Sequence, residues 1–201
     1  MNRAKRSMAG LAIGVISIGF ATGAAAQDTV LRGFSWGVGQ SLSDTKTFSN
    51  DFSFRNADAE IRKIVGQSSF GASIGWHVFH DEVLEARELE NYPVTVAGLQ
   101  FRNVNTIPIT LTAHRYFGSV RQTRAYIGVG AGTAWTQRSV DIGIFSVDED
   151  SWGFTAIPEV GFIINSGGPT EWYVNAKYQW TSGDNGASAL YFNIGLFTGG
   201  E

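Results

Sequence analysis

Apolar and polar residues alternate along most of the chain, and the alternation recurs in one segment after another. From Leu190 to Leu196 every second residue is apolar, and the residues between them include Asn193 and Gly195. A period of two is typical of a β-strand that presents two different faces. Eight segments carry this pattern, at about 29–40, 52–65, 69–80, 95–117, 124–138, 152–165, 171–181 and 188–198. The pattern therefore predicts an all-β chain.

The lengths of these segments favour a membrane barrel. Most contain ten to fifteen residues, whereas strands of globular proteins average about 5–6 residues. A tilted strand needs about 9–11 residues to cross a bilayer. An even number of strands also lets the sheet close with every neighbour antiparallel, which leaves no unpaired edge in the lipid. We therefore predict an eight-stranded antiparallel up-and-down transmembrane β-barrel.

The predicted connections differ between the two ends of the barrel. Those at 66–68, 118–123 and 166–170 are short, and most of the others are longer and more polar. Outer-membrane barrels have short periplasmic turns and longer external loops, so we expect the N-terminus in the periplasm. Two acidic stretches then become external: 81–90, interpreted as a helix or a solvated loop, and 148–150. Divalent-cation binding beside lipopolysaccharide is one interpretation of them, but neither has the ligand spacing of a calcium loop, and solvated loops are the favoured interpretation.

Alternation alone does not decide which face is inside, because a soluble barrel hides its apolar face and a membrane barrel exposes it. The sizes of facing residues favour the membrane barrel. If the second and third strands pair across a tight turn at Gly66 and Gln67, large charged residues face small ones: Arg62 faces Gly71, Glu60 faces Ser73, and Asp58 faces Gly75. The narrow interior of an eight-stranded barrel needs such complementarity, whereas a solvated surface does not. A three-residue turn would shift this register by one.

The same reasoning extends to the later strands. His114 is expected opposite Gly128, and Thr112 opposite Gly130. Glu159 and Lys177 are expected to form an interior ion pair, because a buried charge without a partner costs several kcal/mol. The predicted interior polar network consists of Asp58, Glu60, Arg62, His114, Glu159 and Lys177.

We predict two girdles of aromatic residues, one at each membrane interface, where amphipathic rings prefer to lie. Trp172 is predicted at the inner end of its strand. Five others are predicted toward the outer ends, namely Trp36, Trp76, Trp135, Trp152 and Trp180. Ordinary core aromatics are the alternative interpretation.

Three residues conflict with the simple strand pattern. Pro108 and Pro158 lie inside predicted strands, where each removes a ladder donor and is expected to mark a bulge or a bend. Arg115 is expected on the lipid face near the inner end, from which its side chain could reach the interface.

The N-terminal residues predict export. A basic segment with Arg3, Lys5 and Arg6 precedes an apolar run at 8–20, and Ala24-Ala25-Ala26 follows. This is the layout of a cleaved secretory signal, and the apolar run is shorter than the ~20 residues that an uncleaved spanning anchor needs. We expect a signal peptide at 1–26 and one outer-membrane β-barrel domain at 27–201, in a Gram-negative bacterium.

Composition excludes several classes of function. Without its three basic signal residues the chain has 12 basic and 18 acidic residues. This acidic balance argues against nucleic-acid binding, which needs clustered basic residues. The sequence contains no cysteine, which excludes disulfides and thiolate metal sites.

Four motifs, in their order and spacing, resemble the small outer-membrane β-barrel proteins of bacteria. They are FGASIGWHVF at 70–79, RNVNTIPI at 102–109, YIGVGAG at 126–132 and PEVG at 158–161. The resemblance covers nearly all of the exported chain. It implies an eight-stranded barrel that the outer-membrane assembly machinery inserts, with outer-membrane lipid and lipopolysaccharide as its surroundings. In such families the last strand ends in an aromatic residue, whereas here Phe197 is followed by four more residues.

No motif predicts catalysis, a cofactor or a metal site. The glycine run at 128–132 lacks the context of a phosphate loop, and His77 and His80 should face opposite sides of one strand. We predict a non-enzymatic barrel with a structural, surface-interaction or minor permeation role. One alternative is a membrane-embedded lipid hydrolase with His114 or His77 as its base, although the His-x-Ser-Asn motif of lipid A deacylases is absent. Another is a soluble periplasmic, lipocalin-like barrel that binds a small apolar ligand in an apolar interior.

Overall fold

In a computed structural model, eight antiparallel strands form one closed barrel in which each strand pairs with its sequence neighbours and β1 pairs with β8. The structure describes residues 29–49, 52–88, 95–118, 123–143, 145–183 and 185–200, and the predicted signal peptide lies outside these ranges. The strands are β1 (Val30–Leu42), β2 (Phe52–Val65), β3 (Ser68–Glu88), β4 (Thr95–Phe117), β5 (Arg124–Ile142), β6 (Phe145–Asn165), β7 (Thr170–Thr181) and β8 (Ser188–Gly200). The predicted all-β fold and its strand order are confirmed.

Three strands, β3, β5 and β6, extend at least four residues further than the sequence pattern predicts. β3 continues to Glu88, so the interpretation of 81–90 as a helix or loop is wrong for its described residues, and 148–150 lies within β6 instead of in a loop. β5 and β6 are joined by only two residues, so that connection is not the long loop we expected. Where a strand projects beyond the barrel, both of its faces are in contact with water. Its residues therefore need not alternate between apolar and polar, and the sequence pattern does not reveal this part of the strand.

A short helix, α1 (Ser43–Phe48), follows β1 and was not predicted. Its six residues are mostly polar and have no side-chain cap at the N-terminus. Apart from Lys46 in its last turn, such a segment carries few of the usual helix signals. Its position at the barrel mouth depends on contacts with distant strands, which are described below.

The register between strands follows from the turns. β2 and β3 are joined by the two-residue turn Gly66-Gln67, where Gly66 has a φ of 61°, a left-handed conformation that glycine adopts without strain. This turn places the charged residues of β2 opposite the small residues of β3, in the register expected for a tight turn. The pairings of His114 with Gly128 and of Thr112 with Gly130 are also present.

The two strand prolines do not cause bulges. The ladder is interrupted beside Pro108 and beside Pro158, but the register is the same before and after each interruption. Each proline removes a ladder donor, and the long strands on either side hold the alignment. A register shift occurs instead between β1 and β2, where Phe54 and Arg55 both lie opposite Val38. This is the geometry of a β-bulge.

The two faces of the barrel have opposite polarity. Polar and charged side chains fill the interior, whereas many large apolar side chains on the outside are exposed. Phe34, Phe70, Leu111, Ile127, Phe162 and Ile194 are among them. A soluble barrel has the reverse arrangement, with its apolar residues removed from water.

Candidate functional site

The interior of the barrel contains a cluster of ionisable side chains at mid-height. All six predicted network residues point inward and are buried: Asp58, Glu60, Arg62, His114, Glu159 and Lys177. They come from β2, β4, β6 and β7, so the cluster bridges the barrel from wall to wall. We call it the charged cluster, and it also includes His77 of β3.

Arg62 is the centre of one half of the charged cluster. Its guanidinium is fully buried and lies 2.8 Å from Glu60 Oε2 and 3.0 Å from Glu159 Oε1. The ring centroids of Tyr126 and Phe197 each lie 4.8 Å from the guanidinium carbon. Two carboxylates and two aromatic faces therefore compensate one buried cation, as the cost of burying a charge requires.

Lys177 connects the two halves of the cluster. Its Nζ lies 3.4 Å from Asp58 Oδ2 and 3.8 Å from Glu159 Oε2. Asp58 also contacts His77 Nε2 at 3.3 Å, and His77 Nδ1 is 2.9 Å from Gln179 Oε1. The contacts run without a break from Gln179 to Glu159.

His114 completes the cluster on its inner side. Its Nε2 contacts Glu159, and its Nδ1 lies 3.1 Å from Ser69 Oγ. Ser69 Oγ is also 2.9 Å from Tyr116 Oη. The Glu159 carboxylate is therefore held by a lysine, an arginine and a histidine together.

Glycines on the neighbouring strands provide the space that these side chains occupy. A Cβ atom added at Gly128 would lie 2.2 Å from His114 Cδ2, and one added at Gly75 would lie 2.8 Å from Asp58 Oδ1. The large residues of one strand therefore lie over the glycines of the next. This close fit is what an eight-stranded barrel requires to fill its interior.

We expect Gly128→Ala to destabilise the barrel by about 1–3 kcal/mol, the usual cost of overpacking. His114 cannot move aside without losing its contacts to Glu159 and Ser69. Gly168→Ala is the matched control, because nothing lies within 4 Å of a Cβ at that position. The measurement is urea unfolding in lipid vesicles, and equal midpoints for the two variants would contradict the expectation.

An aromatic layer closes the barrel below the charged cluster, toward the end with the short turns. It consists of Leu31, Tyr116, Tyr126, Ile163, Tyr173 and Phe197, all buried. The rings of Tyr173 and Phe197 are stacked with their centroids 4.2 Å apart. This layer separates the charged cluster from the solvent at the inner end.

Helix α1 closes the opposite end. Phe48 packs against a buried apolar cluster formed by Phe79, Val104, Ala189 and Tyr191. The guanidinium carbons of Arg102 and Arg138 lie 5.9 and 5.3 Å from the centre of the Phe48 ring. Thr45 Oγ1 accepts a 2.8 Å hydrogen bond from the backbone N–H of Ser188 and ties α1 to β8. Three successive layers of side chains thus close the interior: the apolar cluster around Phe48, the charged cluster and the aromatic layer.

We expect Phe48→Ala to release α1 from the mouth at a cost of about 1–3 kcal/mol, less than a fully buried phenylalanine because the ring is partly exposed. Amide hydrogen exchange should accelerate in α1 and at the start of β8, but not in the turn at Gly66 and Gln67. Lys46→Ala, an exposed position on the same helix, is the control. Unchanged exchange in α1 would show that Phe48 does not anchor it.

The tryptophans and Arg115 lie on the outer surface. Trp172 lies near the inner end of β7 and Trp180 near its outer end, and both are exposed. Trp135 and Trp152 face each other across β5 and β6, whereas Trp36 lies at the middle of β1 and not toward its outer end, where we expected it. Arg115 is exposed and donates hydrogen bonds to Ser68 and Gln67 at the inner turn. The remaining member of the predicted girdles, Trp76, is also exposed and donates to Asn105.

Sequence reasoning missed several polar residues of the interior. His77, Asn175, Gln179 and Asn193 are all buried in the barrel and hydrogen-bonded to it. Their positions in the alternation match those of the predicted residues, so strand parity could have identified them. His80, three residues after His77, lies partly exposed on the other face of β3, as predicted.

The described residues contain neither a cluster suited to a metal ion nor a helix suited to cross a membrane. No group of three or more His, Asp or Glu side chains in these ranges is arranged to hold a metal ion. No helix among them is both long and apolar enough to cross a membrane.

Ser69, His114 and Glu159 form a serine–histidine–carboxylate contact series, which raises the question of hydrolysis. In hydrolytic triads the serine contacts histidine Nε2 and the acid contacts Nδ1, whereas here the two nitrogens have exchanged partners. Ser69 and the His114 side chain are fully buried, and Glu159 is paired with Arg62 and Lys177. This geometry suits a packed structural cluster that no substrate can reach.

Comparisons with known proteins identify the fold. No protein-family model matches the chain, and no curated protein matches its sequence. Among solved structures, Neisserial surface protein A (NspA) is similar at a TM-score of 0.52 and 10% identity, over 85% of this chain and 95% of that one. Ail of Yersinia pestis (TM-score 0.46, 11% identity, 86% and 97% covered) and the N-terminal β-barrel domain of Pseudomonas aeruginosa OprF (0.44, 13%, 85% and 98%) also match.

The similarity to Neisserial surface protein A covers most of both chains, and it agrees with the closed eight-stranded topology. The resemblance drawn from the sequence motifs is confirmed at the level of the fold. This chain has the fold of the eight-stranded outer-membrane β-barrels.

Proposed function

We propose that this protein is an integral outer-membrane barrel of a Gram-negative bacterium, exported through a cleaved signal peptide, with a structural or surface-interaction role. The observation that carries the proposal is the polarity of the barrel. Its charges are buried inside and its large apolar side chains are exposed outside, and exposed apolar surface of this extent marks an interface. A lipid bilayer is the environment that such a surface requires.

The spacing of the exposed tryptophans supports two interfacial girdles. Trp172 and Trp180 lie on the same face of β7, eight residues apart. For a strand that rises about 3.3 Å per residue and is tilted about 40°, this is about 20 Å along the barrel axis. The apolar band of outer-membrane barrels is about 25 Å tall. We place Trp172 at the periplasmic interface, where Arg115 can also reach headgroups, and Trp180 at the outer one.

The three layers of interior packing argue against an open pore. An ion or solute would have to pass Phe48, the charged cluster and the aromatic layer, and eight-stranded barrels in general leave an interior that side chains just fill. The soluble ligand-binding alternative requires an apolar interior, and the polarity of this barrel is the opposite. The hydrolase alternative has only the sealed Ser69–His114–Glu159 contacts in its favour.

The four longer strands support the surface-interaction role. β3, β4, β5 and β6 continue past the level at which β7 and β8 end, and their two hairpins project from the outer mouth. We propose that this projecting sheet is the part of the protein that other surface components meet. Membrane lipid and lipopolysaccharide surround the barrel below it, and the outer-membrane assembly machinery inserts the chain.

Gel mobility of the protein in isolated outer membranes tests the proposal. The full chain is expressed in a Gram-negative host, and membrane fractions are run on SDS gels with and without boiling. We expect an outer-membrane band whose mobility changes on boiling, since closed barrels resist SDS. A periplasmic protein with no change in mobility would overturn the membrane assignment.

A further inference from the structure

The outer wall of the barrel has a depression in its apolar surface. It spans four adjacent strands, β6, β7, β8 and β1, and has a volume of about 490 Å³, which lies within the usual range of ligand sites. Two rows of paired residues line it. One row is Phe162, Val174, Ile194 and Trp36, and the other is Val160, Ala176, Phe192 and Val38.

The depression exists because small side chains lie between large ones. Ala176 is at its centre, next to Phe192 on one side and Val160 on the other. Trp36 and Phe162 rise at the two ends of the neighbouring row. The floor is thus set by the alanine and by the strand backbone, and the walls are set by aromatic rings.

The chemistry of the lining restricts the occupant to a hydrocarbon. Every outward side chain of the two rows is aliphatic or aromatic. The strand backbones beneath are paired continuously across β6, β7, β8 and β1 at these positions, so their N–H and C=O groups are already satisfied. An occupant with hydroxyl or charged groups would lose its hydration here without compensation.

The dimensions fit one acyl chain. Three strand spacings of about 4.8 Å make the depression about 14 Å long across the strands. Because the strands are tilted by about 40°, this run rises about 9 Å along the barrel axis, which lies within the hydrocarbon depth of one leaflet, about 15 Å or half of ~30 Å. A second copy of the barrel fits less well. Stable interfaces use about 20–30 residues a side, whereas eight side chains line this concave surface, and the wall of another barrel is convex.

The position of the depression along the barrel axis indicates which leaflet supplies the acyl chain. On β7 it begins at Val174, two residues from Trp172 at the proposed periplasmic interface. On β6 it reaches Phe162, three residues before the strand ends at Asn165. Toward β1 it rises to Val38, in the outer half of that strand. A chain that enters from the periplasmic side can therefore follow it upward from β6 to β1.

From these observations we propose that the wall of β6, β7, β8 and β1 holds one acyl chain of a phospholipid of the inner leaflet. The proposal rests on the membrane location argued above. Bulk lipid covers every face of such a barrel, but here one chain is seated below the level of its neighbours and is retained when bulk lipid is removed.

Retention of phospholipid tests the proposal. The full-length barrel is reconstituted in vesicles of palmitoyl-oleoyl phosphatidylethanolamine, transferred to detergent micelles and analysed by native mass spectrometry. We expect a species with one bound phospholipid. Ala176→Phe and Val160→Phe fill the depression from two different strands, so a folding failure of one variant leaves the other as a test. Both should reduce the bound species severalfold.

Two variants on the opposite wall are the matched controls. Ala72→Phe and Val78→Phe make the same changes at partly exposed, outward positions of β3, and they should retain the lipid. Equal retention in the filled and control variants overturns the proposal. Lipid retention that occurs only from vesicles containing lipopolysaccharide also overturns the proposal, because the bound chain is then not that of a phospholipid. A dimer that Ala176→Phe abolishes overturns it as well, because a second barrel then occupies the depression. If the unmodified protein gives no heat-shifted band in the same vesicles, the membrane assignment itself fails.

Discussion

Replacing Arg62 with methionine should destabilise the barrel by about 3–5 kcal/mol, the usual cost of removing one partner from a buried ion pair. Three carboxylates, Asp58, Glu60 and Glu159, share the interior with two permanent cations, Arg62 and Lys177. Without Arg62, one cation faces three buried carboxylates. Glu60 would also lose its ion pair at 2.8 Å. The methionine retains most of the volume, so the loss reports charge and not a cavity.

Urea unfolding in lipid vesicles, followed by gel mobility, measures this effect. Arg124→Met is the matched control, because Arg124 is also a buried arginine but pairs with Glu171, which is partly exposed near the inner end. Its replacement should cost less, since water can solvate Glu171. A second change, Glu60→Gln, should recover part of the stability of Arg62→Met. Identical losses for the two single variants would show that the charged cluster is not electrostatically balanced by Arg62.

An arginine on the outer wall at mid-depth should also be costly. Leu111 is 68% exposed and lies six residues from the inner end of β4, about 15 Å along the axis of a tilted strand. Arginine at the midplane of a barrel in lipid costs about 2–4 kcal/mol. We expect Leu111→Arg to lower the urea midpoint in vesicles and to reduce the heat-shifted band in outer membranes.

Leu84→Arg is the control for that substitution. Leu84 is even more exposed, at 78%, but it lies on the projecting part of β3, beyond Val78, the last residue of β3 in its ladder with β2. At about 40 Å from the inner end of the strand, it is above an apolar band of about 25 Å. The arginine there should be nearly neutral. Improved water solubility of Leu111→Arg without loss of stability would identify a soluble barrel instead.

The fold was predictable because strand parity and turn length together determine the interior. Once Gly66 and Gln67 form a two-residue turn, the residues of β2 must face particular residues of β3. The complementarity of Arg62 with Gly71 then distinguishes inside from outside, which hydrophobic alternation cannot do. His114 and Gly128 repeat the same relation on β4 and β5.

The sequence could not predict the closure of the outer mouth. Phe48 is one phenylalanine in a polar segment, and its packing depends on Arg102, Arg138 and Tyr191 from three other strands. No local pattern encodes those contacts. The extensions of β3 and β6 were missed for a related reason: acidic residues are interspersed with their few apolar ones, so that the segments resemble a solvated loop.

The connections within the charged cluster were only partly predictable. Glu159 and Lys177 are neighbours across β6 and β7, so their pairing follows from register. The contact of Arg62 with Glu159, by contrast, crosses the barrel from β2 to β6. Contacts across the interior depend on side-chain length and on barrel diameter, and a sequence pattern specifies neither.

The tight connection between β5 and β6 has a consequence for engineering. Because two residues join these strands at the tip of a projecting hairpin, a peptide inserted there would be carried on a paired, rigid stem and not on a loose loop. The hydrogen-bond ladder below the insertion would remain complete from Ile142 and Phe145 downward. Foreign sequences could therefore be displayed at a fixed height above the cell surface without disturbing the packing inside the barrel.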